Sequence, residues 1–265
     1  MFPVTCVANR RLRGPLDRDE IGLRVKSDLV SALSRRTAID ERNTMTQAYP
    51  DVVDRSTWEQ ARADLLTDEK AETRARDQVS ARRRRLPMAR VDNYVFDGAS
   101  EPVTLVDLFE GRSQLIVHNF MFDPEWDAGC PSCSNLADNV PHLAHLWAHD
   151  VSFVRISSAP LEKLLAYSER MGWQVPWVSS FSCSYNQDFG WTQPDGEVPG
   201  VSVYLRRGDE VFLTYSTTGR GVEPLSGLVG YLDISPYGRQ EEWEDSPEGW
   251  PQLPAFTVGK RHDEY

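Results

Sequence analysis

Cys130 and Cys133 are the residues best suited to chemistry, standing as Cys-Pro-Ser-Cys at the head of a segment of helical composition. A dithiol with this spacing works when one sulfur is stabilised as a thiolate and the second can reach it to close a disulfide. The start of a helix serves both needs. Unpaired amide N–H groups and the helix dipole lower the pKa of the first sulfur, and the second lies nearly one turn further on. Pro131 suits the first turn, where its missing N–H costs the helix nothing. Cys130 is therefore the candidate nucleophile and Cys133 the resolving thiol. Cys6 and Cys183 are isolated. A lone cysteine is ordinarily a small hydrophobe, so Cys183 as a third redox partner is the weaker reading.

Other side chains near the motif have both a chemical and a plain reading. Trp126 and Asp127 precede the dithiol in the loop DPEWDAG, together with Glu125. A carboxylate facing the sulfur would raise the pKa of Cys130, or it could shuttle a proton to Cys133. His142, His145 and His149 recur at three- and four-residue spacing, as metal ligands joining the CxxC would; a solvated polar face is the commoner cause. Trp173, Trp177 and Tyr185 are candidates for a hydrophobic substrate groove, with aromatic core as the alternative fate of at least half of them.

The elements that must position these residues follow from pattern. The chain has 265 residues, 40% of them hydrophobic, with 8 Trp, 9 Tyr and 10 Phe, enough bulk for a core. A net charge of −11 argues against a nucleic-acid or anionic-membrane binder, and no apolar run approaches the roughly 18–20 residues of a membrane span. Without the apolar stretch of a secretory signal the expected address is the cytoplasm, where structural disulfides are rare. Residues 1–44 read as a mildly basic, disordered leader, with Met45 as an alternative start. A helical extension is expected over 45–89, capped at Ser56 or Thr57 and ended by Pro87. Residues 94–105 read as a short hairpin. The run QLIVHNFMF (114–122) reads as a central buried strand and VSFVRIS (151–157) as a second. The segment after the dithiol is predicted helical with a kink at Pro141. An amphipathic helix is expected from Pro160 to about Met171, ended by Gly172. Residues 173–198 read as mostly loop. A hairpin with strands 201–206 and 210–216 follows, then a helix over 222–232. From 241 the chain reads as an acidic, irregular tail.

Strands alternating with helices, then a late hairpin, predict an α/β thioredoxin-like three-layer fold with a mixed central sheet over 90–240. In that arrangement Pro199, just before a strand, falls where such folds place a cis-proline beside the dithiol. Four segments carry a further resemblance: GRSQLIVHNFMFDPEWDAGCPSCS, SSAPLEKLLAYSERMGWQVPWVSS, VPGVSVYLRRGDEVFLTYSTTGRGVE and YLDISPYGR. Through them residues 45–239 resemble the DUF899 family of bacterial thioredoxin-like proteins, described as predicted dithiol-disulfide oxidoreductases. The resemblance implies that the family's dithiol falls on Cys130 and Cys133 and its proline loop on Pro199 and Gly200. The chain departs from the family at FSCSYNQD, where Cys183 and Ser184 replace part of an expected acidic stretch.

The function expected is thiol–disulfide exchange, needing no cofactor but a disulfide substrate, of protein or small-molecule kind, and a dithiol electron donor. The alternatives are a thiol peroxidase, a metal-binding protein, and a non-catalytic thioredoxin-like protein. Against the peroxidase, the Thr that peroxiredoxins place three residues before the nucleophile is Asp127 here. Against the metal reading, no second CxxC completes a four-ligand set. Sequence gives no oligomeric state.

Overall fold

The computed structural model describes residues 49–255 and 259–265, so the expected leader lies outside the described residues. The described chain opens on a 29-residue helix, α1 (Arg55–Arg83), none of whose residues is buried. Its cap is Asp54 rather than Ser56 or Thr57. The Asp54 carboxylate accepts from the Thr57 amide (2.8 Å) and the Ser56 hydroxyl (2.6 Å), because an ionised acceptor outcompetes a hydroxyl for the free amides.

Ten short strands follow. Six form the central sheet: β1 (Ala89–Val91), β4 (Gln114–Asn119), β5 (Val151–Ser157), β6 (Trp177–Ser179), β9 (Gly200–Arg207) and β10 (Glu210–Thr218), in the order β1-β10-β9-β4-β5-β6. Strands β4, β5 and β6 are mutually parallel, whereas β9 runs antiparallel to β4 and β10 antiparallel to β9. A parallel β-helix-β unit extended by an antiparallel hairpin is the thioredoxin-like arrangement the element order predicts. The expected hairpin at 94–105 is β2 (Val95–Phe96) on β3 (Val103–Thr104), and a further small hairpin joins β7 (Thr192–Gln193) to β8 (Gly196–Glu197).

The continuous apolar character of β4 has a simple cause: it lies between β5 and β9, with packing on both faces. Alternation along the strand sends Leu115 and Val117 to one face and His118 to the other. The first face carries a cluster with Phe96, Val154, Ile156, Tyr185 and Tyr204. The second carries Phe120, Phe122, Leu164, Tyr167, Met171 and Trp177 around Cys133, with Cys130 packed against it.

Helices supply the outer layers. The segment after the dithiol is not one kinked helix but two, α2 (Pro131–Asp138) and α3 (Leu143–Trp147). Pro141 has no amide to continue the ladder, and His142 restarts it by accepting from the Ala144 amide (3.2 Å). Helix α4 (Leu161–Arg170) buries Leu164 and Tyr167 and ends where Gly172 adopts φ +66°. Residues 173–198 are more structured than a loop: they hold β6, a single turn α5 (Tyr185–Asp188), and the β7–β8 hairpin. The helix expected over 222–232 is divided. Pro224 lies in a 3₁₀ segment, Gly219–Leu225, and α6 (Gly227–Asp233) starts after it, capped by Ser226.

Candidate active site

The dithiol stands where β4 hands over to α2. The Cys130 amide donates to the Met121 carbonyl (3.1 Å), and its own carbonyl accepts the first helical bond from Ser134 (2.9 Å). Cys130 is thus the N-cap residue and Pro131 the first helical residue. Gly129 permits this entry: a Cβ there would sit 2.6 Å from the Phe120 ring and 2.9 Å from that of Tyr167. The chain passes the aromatic floor too closely for any side chain.

Both thiols are free, Cys130 partly exposed and Cys133 buried. The sulfur of Cys130 forms no formal capping bond, yet its surroundings favour the anion. The Cys133 thiol donates to it, the amides of Cys133 and Ser132 face it, and the Arg261 guanidinium adds positive charge. Against the opposing effect of burial, these hold Cys130 down at about 6. For Cys133 the same hydrogen bond acts in reverse. Together with burial, and then the charge of Cys130, it pushes the Cys133 thiol well above the ordinary range. The same contact thus pushes the two sulfurs in opposite directions.

The remaining sequence candidates fall into three groups. Trp126 is over one-third exposed on the loop before the dithiol. Its carbonyl accepts from the Lys163 ammonium (2.9 Å), which ties that loop to α4. Glu125 and Asp127 lie on the exposed face of the same loop. Trp173 and Trp177 do pack beneath the dithiol: Trp173 is partly buried against the Cys130 cluster with its indole N–H on Asp138 (2.7 Å), and Trp177 is a buried member of it. Both indoles also line a cavity of about 410 Å³ with Phe153, Leu165 and Val175, but neither sulfur lines it.

Two expectations, on Tyr185 and Pro199, are corrected. Tyr185 is not a groove residue. It is fully buried in the opposite cluster, its hydroxyl 2.7 Å from that of Tyr204, because α5 turns it inward against Tyr94 and Phe96. Cys183 packs against that same cluster as a small hydrophobe, the reading its isolation favours, and burial raises its pKa. Pro199 is trans, as is every peptide bond among the described residues. Pro199 leads directly into β9: Gly200 pairs with both Asn119 and Thr218, and the Pro199 carbonyl accepts from the Thr218 hydroxyl. As for metal binding, His142, His145 and His149 are exposed, and no group of three or more His, Cys, Asp or Glu side chains among the described residues is arranged to hold an ion.

Sequence reasoning missed two charged neighbours of the dithiol. Glu197 is partly buried at the end of the β7–β8 hairpin, accepting from Thr192 (2.6 Å) and Asn186 (3.5 Å). Burial raises its pKa, and its charge acts on Cys133. Arg261 reaches the Gly129 carbonyl from a segment that reads as irregular tail. No local pattern marks either one, since each is brought to the site by the fold.

No helix among the described residues is long and apolar enough to cross a membrane. Among curated proteins nothing matches the chain. Among solved structures it is similar to peroxidoxin BcpB from Mycobacterium tuberculosis, at 17% identity over 50% of this chain and 85% of that one, with a TM-score of 0.40. It is also similar to AhpC from Enterococcus faecalis, at 16% identity over 51% and 81% of the two chains, with a TM-score of 0.41. A mutant of PrxQ from Xylella fastidiosa matches at 15% identity over 55% and 98%, with a TM-score of 0.39. The model of a family of bacterial proteins of unknown function, DUF899, matches residues 47–265, and the chain belongs to that family.

Proposed function

We propose that this protein is a thiol–disulfide oxidoreductase whose working pair is Cys130 and Cys133. The observation that carries the reading is the placement of the two free sulfurs: Cys130 partly exposed as the N-cap of α2, and Cys133 buried in its first turn, a setting that lowers the first thiol and raises the second. The Cys130 thiolate attacks one sulfur of a substrate disulfide, forming a mixed disulfide and expelling the other substrate sulfur as a thiolate. Cys133 then loses its proton and attacks the Cys130 sulfur. The Cys130–Cys133 disulfide forms, the second substrate sulfur leaves, and two electrons have passed to the substrate. An external dithiol returns them in a reducing compartment such as the cytoplasm.

A redox titration tests this. The metal-free protein is equilibrated in glutathione buffers of known ratio, and the state of the pair is read by alkylation and mass spectrometry. One reversible two-electron transition confined to Cys130 and Cys133 is the expected result. Thiols that stay unpaired across the whole series overturn the reading.

A further inference from the structure

Residues 260–265 fold back across the dithiol helix and hold it at both ends. At its start, the Arg261 guanidinium donates from Nε (3.0 Å) and Nη2 (2.7 Å) to the carbonyl of Gly129, the residue before Cys130. At its end, Nδ1 of His262 lies 2.9 Å and 3.0 Å from the two carboxylate oxygens of Asp138. Asp263 fastens the segment to α4 by accepting two bonds from Arg170, at 2.7 Å and 3.1 Å. Glu264 closes the turn, accepting from the Arg261 amide (3.1 Å) and guanidinium (2.7 Å).

The contacts converge on the backbone around Cys130. Besides holding Gly129, the guanidinium acts electrostatically on the Tyr167 hydroxyl. That hydroxyl is 2.9 Å from Ser134 Oγ, which donates to the Cys130 carbonyl (2.8 Å). Arg261 therefore grips the backbone directly before Cys130, while Tyr167 and Ser134 hold the carbonyl of Cys130 itself. Its side chain is only 17% exposed, so its charge reaches the sulfur largely through protein rather than through water. A planar fork suits this double grip on one carbonyl better than an ammonium does. Glu264 shares the cation but sits on its outer side, in the exposed turn.

We propose that Arg261 is a positioning residue of the dithiol: carried in by the segment 260–265, it fixes the backbone around Cys130 and supplies the cation that keeps that sulfur reactive as a thiolate. The proposal rests on Cys130 being the attacking sulfur, and adds to that reading the group that prepares it.

The test is the pH dependence of Cys130 alkylation by iodoacetamide in the reduced full-length protein, from about pH 4 to about pH 10, with the modified residue identified by mass spectrometry. Arg261→Met is expected to raise the midpoint by about one unit, a roughly tenfold slower reaction at pH 5. Arg261→Lys keeps the charge without the fork and is expected to fall between the two. Asp263→Asn loosens the segment while leaving Arg261 and α2 untouched, and is expected to move the midpoint the same way by less. Circular dichroism and urea midpoints report the fold of each variant. A merely structural role would lower the urea midpoints and leave the alkylation midpoint in place, which overturns the proposal. Should Arg261→Met fail to fold, an unmoved midpoint in both the Lys and Asn variants overturns it equally. Because the readout is a thiolate and not turnover, a failed glutathione titration removes the proposed function without altering this result.

Discussion

Lowering the pH from 7 to 5 is expected to loosen the floor of the dithiol site through His118. The ring is 1% exposed on β4, its centroid 5.5 Å from that of Phe120, the residue that closes against Gly129. Neither ring nitrogen has a hydrogen-bond partner among the described residues. Across the sheet His118 faces Arg155 in register on β5. That guanidinium is itself buried, 4.5 Å and 4.9 Å from the ring centroids of Trp173 and Trp177. Burial first, and then the Arg155 charge, hold His118 down at about 3.

In the unfolded chain the same imidazole titrates near 6.5, so the unfolded state binds the proton first and stability falls as the pH drops below that value. A depressed folded pKa gives a contribution that is complete above the unfolded pKa and is lost progressively down to the folded one. Integrated from pH 7 to pH 5, the loss from this one group is about 2 kcal/mol, a sizeable share of a domain's usual 5–15 kcal/mol. Cys130, also held below its ordinary value, adds a loss in the same window. The informative quantity is therefore the difference between wild type and His118→Leu. Urea unfolding at pH 7 and pH 5 measures it: the wild type is expected to lose about 2 kcal/mol more than the variant over that step. Equal losses in the two proteins would refute the reasoning, because His118 would then have found a partner for its proton inside the fold.

Two further outcomes follow from the site. Cys133→Ala removes the largest favourable influence on the Cys130 anion; a hydrogen bond to a charged group is worth about 1.5–3 kcal/mol, so the alkylation midpoint of Cys130 is expected to rise by roughly one to two pH units. An unmoved midpoint would show that the amides and Arg261 suffice without it. Glu197→Gln removes a negative charge that acts on Cys133, so the alkaline midpoint of Cys133 is expected to fall, as followed by pH-dependent alkylation of that residue; a rise would mean that Glu197 acts by some route other than its charge.

The central strands and the dithiol were legible in sequence because their signals are local. QLIVHN and VSFVRIS are buried on both faces and carry no polar alternation to confuse the reading, and the CPSC motif advertises its own helix start. What escaped detection lacked a period or was set at a distance. Strand β6 is three residues long, too short for any alternation to show. Tyr185 owes its buried place to a four-residue helix in a stretch whose composition reads as loop. Arg261 lies 132 residues from the carbonyl it holds, and nothing in RHDEY marks it as a neighbour of the two cysteines. Pro199 is trans and leads straight into β9, a setting that the proline's place in the sequence does not reveal.

In the proposed exchange, the asymmetry between the sulfurs gives an order of events. One hydrogen bond lowers Cys130 and raises Cys133, so the two cannot be reactive at once: Cys133 can attack only after its bond to a negative sulfur has gone. Formation of the mixed disulfide meets that condition, because a Cys130 sulfur bonded to substrate carries no charge. At that moment two of the influences that hold the Cys133 proton, the accepting anion and its charge, vanish together, while burial and the charge of Glu197 remain. Burial keeps Glu197 itself above the ordinary carboxylate range. Attack by Cys130 thus removes the restraint on Cys133, and resolution follows from the chemistry of the first step.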